Sequence, residues 1–245
     1  MTVPRTPRRA LIFACAWLAA VLVRSPAHAQ DDPMSCKDPQ TQTELTFCAG
    51  RDADAADARM QAAYARVHAA QPAPAAALLD SAQAAWTAFR MRECDYQSTA
   101  FEGGSAQPMV DNVCSGALAR QRTDDFAHPA PALSATCSRA AAPARCAGAE
   151  LSAADSALNA AYRALRTATM KEDSKLDYPR DYDPSIRTRS ELLRATERAW
   201  IRWRDAQCAW EAAAPNAAPA ARTGCLRRMS HTRAAQLREA IRGDL

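Results

Sequence analysis

Glycine is scarce in this chain, seven among 245 residues, and aromatic side chains make up only 6%. A phosphate-cradling loop needs several closely spaced glycines, and none of the patterns for such loops occurs. A His-Glu-x-x-His helix and a nucleophile elbow are also missing. The histidines beyond the N-terminal thirty residues are His68, His128 and His231. None has a catalytic or ligating partner at motif spacing, so each reads as a surface residue. Close Cys-x-x-Cys pairs are lacking too. The smallest gap past residue 30 runs from Cys137 to Cys146, which is wrong for a zinc site. Runs of alternating β-branched residues, which would mark strands, do not appear. Without a sustained basic stripe the chain is a poor candidate for nucleic-acid binding. These absences point away from an enzyme, a metalloprotein or a cofactor carrier.

What is present begins at the N-terminus. Arg5, Arg8 and Arg9 precede an apolar run, Ala10 to Val23, that is too short to span a bilayer comfortably. Ala27-His28-Ala29 then supplies a small-x-small cleavage pattern. The expectation is a cleaved leader over residues 1–29 and a periplasmic or secreted product without stable membrane insertion. Lipidation at Cys15 fits badly, because Ile12-Phe13-Ala14 precedes it and the apolar stretch continues beyond it. Twin-arginine export from Arg8-Arg9 lacks a cofactor to justify it.

Eight cysteines follow the leader: Cys36, Cys48, Cys94, Cys114, Cys137, Cys146, Cys208 and Cys225. An even count in an exported chain predicts a disulfide framework. Charge is balanced after residue 29, with 27 basic and 27 acidic residues, but it is unevenly placed. Residues 30–130 carry 8 basic and 14 acidic side chains, whereas residues 131–245 carry 19 and 13. Opposite halves suit docking of one against the other, and the acidic half suits steering of a cationic partner.

The chain repeats itself. Cys48-Ala49-Gly50, Ala55-Ala56-Asp57 and Ala62-Ala63-Tyr64 recur at identical spacing as Cys146-Ala147-Gly148, Ala153-Ala154-Asp155 and Ala160-Ala161-Tyr162. Trp86-x-x-Phe89-Arg90-x-x-x-Cys94 recurs as Trp200-x-x-Trp203-Arg204-x-x-x-Cys208. Cys114, Leu118, Arg122 and Phe126 recur as Cys225, Met229, Arg233 and Leu237. Three blocks in one order mark a duplication. The copies are expected over residues 30–130 and 131–245, the second with an insertion near 170–189.

Each copy reads as three helices, so the expected fold is all-α: two tandem, disulfide-stapled, up-down-up three-helix domains. Asp57, Met60, Tyr64 and Val67 recur at 3–4 residue spacing, as do Leu79, Ala82, Trp86 and Phe89. Asp155, Leu158, Tyr162 and Leu165 repeat the first stripe, and Leu193, Thr196, Trp200 and Trp203 repeat the second. Pro72 and Pro74 interrupt the first hairpin. In such a topology the four cysteines of each copy gather at one end and pair within it, with three connectivities open. The alanine-rich core buries modest apolar area, so two bridges at ~2–4 kcal/mol each would carry much of a copy's stability.

Asp57 with Arg90, and Asp155 with Arg204, are expected to form partly buried ion pairs that fix helix register rather than recognition sites. Trp86, Trp200 and Trp203 lie at core spacing, and Trp210 falls outside the pattern, past Cys208. The better candidates for partner contact are loops. Gly103-Gly104-Ser105 lies between Cys94 and Cys114, and the second copy replaces it with Ala213 to Ala221. Tyr178 and Tyr182 sit among charges in the insertion, a pattern suited equally to protein recognition and to a solvated linker.

Thr43 and Leu45 before Cys48, the Ala-Asp and Tyr positions, Gln83-x-x-Trp86-x-x-Phe89-Arg90-x-x-x-Cys94, Gly103-Gly104-Ser105, Cys114 and Arg122 together resemble the LprI-like lysozyme-inhibitor family of small exported helical domains. The first copy carries the resemblance well. The second keeps Ala154-Asp155-x-x-Leu158-Asn159-x-x-Tyr162 but lacks Gly-Gly-Ser. The resemblance implies a non-enzymatic protein binder that blocks a muramidase stoichiometrically, with a cationic lysozyme as partner and no cofactor or metal. It assigns no inhibitory residue. A structural or envelope-adaptor role without inhibition is the alternative.

Overall fold

The computed structural model describes residues 36–128, 131, 133–175, 188–215 and 217–243. The expected leader, and Tyr178 and Tyr182 of the insertion, lie outside the described residues. Among the described residues six α-helices follow in order: α1 (Gln42–Ala69), α2 (Ala73–Ser98), α3 (Gln107–Ala127), α4 (Pro143–Asp173), α5 (Arg189–Ala212) and α6 (Ala221–Arg242). No described helix is long and apolar enough to cross a membrane.

Helix boundaries have local causes. Thr41 caps α1 and Thr188 caps α5, each in a reciprocal box with the glutamate three residues on, Glu44 and Glu191. Pro72 stands at the N-cap of α2 and a proline follows in its first turn, where a missing N–H costs nothing. Those prolines therefore end the first hairpin by starting its second helix. At the other end of the chain, Gly243 (φ 78°) closes α6 in the left-handed conformation that suits glycine.

Within each copy the first and third helices run parallel and close together. A Cβ on Gly116 would come within 3.2 Å of the Ala53 Cα, and one on Gly50 within 3.3 Å of Asn112. The small residues that thin out the apolar bulk thus let α1 and α3 approach backbone to backbone. The second helix runs antiparallel to both, as the pairs Asp57–Arg90 and Tyr64–Asp80 require. Cysteines gather at the end common to these helices and pair within their copies: Cys36–Cys48, Cys94–Cys114, Cys137–Cys146 and Cys208–Cys225.

The copies do not keep separate cores. Residues 34–245 form one compact unit, in which α2 and α5 pack against each other as a central pair flanked by α1/α3 and α4/α6. One apolar cluster joins Met60, Trp86 and Phe89 of the first copy to Leu193, Trp200 and Trp203 of the second. Phe89 and Trp203 occupy equivalent repeat positions and stack on each other, ring centroids 5.1 Å apart and planes 14° from parallel. Equivalent residues meeting across an interface are the mark of two-fold pairing. The duplication has folded as an internal pseudo-dimer.

Two buried arginines extend that pseudo-symmetry. Arg122 donates from Nε to Gln83 Oε1 (3.1 Å) in its own copy and from Nη1 to Gln207 Oε1 (2.9 Å) in the other. Arg233, its repeat equivalent, donates to Glu197 in its own copy (Nε, 2.9 Å) and to Glu93 across the joint (Nη2, 2.7 Å). Gln83 and Glu197 are equivalent positions, as are Glu93 and Gln207. One arginine therefore meets two amides and the other two carboxylates. Burial opposes the charge of both. Arg122 is lowered to about 10, while Glu93 and Glu197 more than offset burial at Arg233 and hold it above its ordinary value.

Candidate partner-binding site

The exposed end of the first copy is built on two bridges. Cys36–Cys48 ties the incoming chain to α1, and Cys94–Cys114 ties the end of α2 to α3. Between the latter two helices a short 3-10 turn, Thr99–Phe101, leads into Gly103-Gly104-Ser105. Gly103 adopts φ 73°, a conformation that costs a side-chain-bearing residue about 1 kcal/mol or more. The Gly104 N–H donates to Phe101 O at 2.9 Å, and the Gly103 N–H to Gln107 Oε1 at 3.3 Å. Asn112 Nδ2 donates to Thr46 O (3.4 Å), which joins α3 to α1 beneath the loop. The loop is short, hydrogen-bonded and anchored at both ends.

Apolar side chains are left uncovered around it. Leu45 and Phe47 on α1, Phe101 in the 3-10 turn and Val113 on α3 are all exposed. A shallow depression between α1 and the loop is lined by Phe47, Ser105 and Pro108. Glu44 and Asp111 lie on the same two helices, and the Arg51 guanidinium stands over the Phe47 ring at 5.8 Å. Glu44 accepts N–H bonds from Gln40 and Thr41, which lower its carboxyl from the usual value. Asp111 is pushed up by burial and by neighbouring Asp95, with Arg90 opposing. The surface is an apolar patch with charges of both signs beside it, carried on a disulfide-braced frame.

Among the described residues the second copy offers no matching loop. Ala214, Ala217, Ala218 and Ala221 of its corresponding segment instead border a cavity at the joint between the copies. Trp210, the tryptophan outside the core pattern, lies on that cavity and meets Phe126 edge-on at 6.3 Å.

The two aspartate–arginine pairs differ in detail. Arg90 Nη1 lies 2.6 Å from Asp57 Oδ1 and its guanidinium sits over the Trp86 ring at 5.0 Å. Arg204 is 3.5 Å from Asp155, and Ser230 Oγ, which donates to Asp155 at 2.7 Å, stands between them. Both pairs link the first helix of a copy to its second, and both aspartates are more than a third exposed. Sequence reading missed the more deeply buried cations, Arg122 and Arg233. The repeat had placed them at equivalent positions, but their partners lie 36 to 140 residues away. Cys137, Cys146 and Glu150 bring three ligand-type atoms within 4.8 Å of one another, yet the two sulfurs are bonded to each other.

The sequence profile of the family described as lysozyme inhibitor LprI matches residues 35–126 and again residues 134–237. The chain belongs to the LprI family. An uncharacterized protein of Rhizobium meliloti (strain 1021) is 34% identical in an alignment 115 residues long that covers 42% of this chain and 83% of that protein. A crystal structure of an uncharacterized protein from Burkholderia thailandensis superposes with a TM-score of 0.47 at 19% identity, covering 84% of this chain and 91% of that one. In this LprI-family chain the profile falls on both halves, including the one that lacks Gly-Gly-Ser.

Proposed function

We propose that the chain is an exported, non-enzymatic protein binder that inhibits a cationic lysozyme by stoichiometric occupation of its cleft. The observation that carries the reading is the stapled end of the first copy. There Phe47, Phe101 and Gly103-Gly104-Ser105 form a braced projection with exposed apolar side chains. A lysozyme cleft is concave, and a rigid convex loop enters it with little loss of conformational freedom. The acidic excess of the first half, 14 acidic against 8 basic residues over 30–130, raises the encounter rate with a positively charged enzyme and does so less at high salt. Membership of the LprI family supports the choice of target. The disulfide-dense fold supports an oxidising compartment, and with it export.

The test is clearing of a bacterial cell-wall suspension by hen-type lysozyme in the presence of the oxidised protein. Inhibition should titrate to one protein per enzyme and weaken at least tenfold in Phe47→Ala and Phe101→Ala. No slowing at tenfold molar excess overturns the reading for that lysozyme class. Retention of an envelope protein without inhibition would favour the adaptor role instead.

A further inference from the structure

We infer that the joint between the copies holds a binding site for an uncharged, ring-bearing apolar molecule. The site is a cavity of about 650 Å³, within the range of pockets that enclose a drug-sized molecule. The stacked Phe89 and Trp203 lie at its base, and α3 and α6 border it on either side. Equivalent residues of those two helices line it, Leu118 with Met229 and Gln121 with Thr232, so it straddles the axis that relates the copies. The inference does not rest on lysozyme binding.

The cavity extends toward Trp210 because the copies differ at one end. Trp210 and Tyr96 are equivalent positions, and Tyr96 is 5% exposed. Arg189 lays its guanidinium over the Tyr96 ring at 5.3 Å, and Asp173 holds that stretch by accepting the N–H groups of Arg189 (3.2 Å) and Ser190 (3.0 Å). Helix α4 reaches Asp173 by running on past Thr167, the counterpart of Ala69, where α1 ends. The first copy therefore turns earlier, and it has Ala75 at the counterpart of Arg189. Among the described residues Trp210 lacks such a cover and stays half-buried on the cavity wall. Open space beside aromatic side chains forfeits contact energy, so a molecule that restores those contacts is favoured.

The lining selects the chemistry of the ligand. Five aromatic side chains, Phe89, Phe126, Trp200, Trp203 and Trp210, border the cavity in a chain that is 6% aromatic, so a flat apolar body finds rings to pack against. Charged groups on the wall are answered within the protein. Arg228 Nη2 donates to both carboxylate oxygens of Glu211 (2.8 and 2.9 Å), and Arg233 donates to Glu93 and Glu197. Asp125 feels the attraction of both Arg122 and Arg228. Gln207 is engaged in both directions, accepting from Arg122 and donating to Glu211 at 2.9 Å each. Trp203 Nε1 and Arg228 Nη1 find no acceptor, but both atoms are sealed from solvent and so offer a ligand no handle. A charged ligand would give up its hydration for no unanswered partner, a cost that an uncharged one avoids.

The probes are N-phenyl-1-naphthylamine, which is uncharged, and its anionic analogue 8-anilinonaphthalene-1-sulfonate, titrated into the oxidised full-length protein by calorimetry and by quenching of tryptophan emission. The uncharged probe should bind one-to-one and at least tenfold more tightly than the sulfonate. Trp210→Ala should weaken it about tenfold. Thr232→Trp, which adds bulk to the cavity from an exposed position on α6, should abolish binding while leaving the melting temperature in place. Glu211→Gln leaves Arg228 without its carboxylate and should strengthen sulfonate binding about tenfold. Sulfonate binding as tight as that of the uncharged probe, or unmoved by Glu211→Gln, overturns the selection of an uncharged ligand. Absence of saturable binding, or binding that Thr232→Trp leaves intact, overturns the site.

Discussion

Replacing Arg233 with methionine tests whether the copies are locked by charge. Arg233 is 3% exposed, and its partners Glu93 and Glu197 are 8% and 10% exposed. Methionine fills much of the volume but leaves two carboxylates facing each other without a cation. Breaking a buried pair in this way costs about 3–5 kcal/mol, and a second carboxylate places the expectation at the upper end. For a cooperative unit of this size that corresponds to a fall in Tm of about 6–20 °C. The comparison variant is Glu93→Gln with Glu197→Gln, which reproduces around Arg233 the amide set that already surrounds Arg122. It keeps every hydrogen bond but leaves the guanidinium without the counter-charge that Asp125 and Glu211 supply near Arg122, so it should cost about 3 kcal/mol and recover nothing as pH falls. Guanidinium unfolding of the oxidised proteins, followed by far-ultraviolet dichroism with the m-value checked for constancy, measures both. The methionine penalty should be largest near pH 8. With the cation gone, the buried Glu197 carboxyl titrates still further above its unfolded value, so stability returns as pH falls through that raised value toward pH 4. Wild-type Glu197 is already raised by burial even with Arg233 beside it. A methionine variant within 1 kcal/mol of wild type at pH 7, or one no better off at pH 5, would refute the reasoning.

Other expectations are simpler to state. Phe89→Ala removes the ring stacked on Trp203 at the joint and should cost about 3–5 kcal/mol by the same unfolding assay, as large-to-small aromatic truncations do. Cys94→Ser with Cys114→Ser opens a loop of 20 residues and should cost about 3 kcal/mol. Hydrogen exchange should rise over residues 99–106, with little change in the second copy. Tyr64 donates to Asp80, and that bond pushes its phenol up to about 12. Ultraviolet titration should show a tyrosine ionising that late, and Asp80→Asn should remove that step.

Much of this architecture is legible in the residues. The Leu79–Ala82–Trp86–Phe89 stripe and its repeat at Leu193–Thr196–Trp200–Trp203 are buried, because a helix with one apolar face must cover it. Thr41 with Glu44, and Thr188 with Glu191, announce helix starts through a local pattern. Local patterns say which face is covered but not what covers it. That Phe89 meets Trp203, and that Arg122 reaches Gln207, depends on contacts across 114 and 85 residues for which no periodicity exists. The cavity was hidden for the same reason. Trp203 reads as core from its spacing and is core, yet it also lines a cavity that residues of the other copy border. Trp210 carried the one available signal, since a large aromatic outside the stripe must be covered by something non-local.

The distribution of charge around the two arginines leads to a further expectation about half-molecules. Each copy contributes one residue to its own arginine and one to its neighbour's: Gln83 and Glu93 from the first, Glu197 and Gln207 from the second. Either copy paired with itself would give every arginine one amide and one carboxylate, which balances the buried charge. Pairing unlike copies segregates both carboxylates onto Arg233 and both amides onto Arg122. A fragment spanning residues 34–131 would expose Trp86, Phe89 and Tyr96, which α5 and its neighbours now cover, and so has reason to pair. It should form a symmetric homodimer in which each Arg122 takes Gln83 of its own chain and Glu93 of the other. Sedimentation equilibrium should report a dimer, Tm should rise with protein concentration, and Glu93→Gln should loosen the dimer by about 1–3 kcal/mol, the range for a hydrogen bond to a charged group. A folded monomer at micromolar concentration would mean that the shared core is dispensable to the first copy. The pseudo-dimer would then be a consequence of tethering rather than of complementary surfaces.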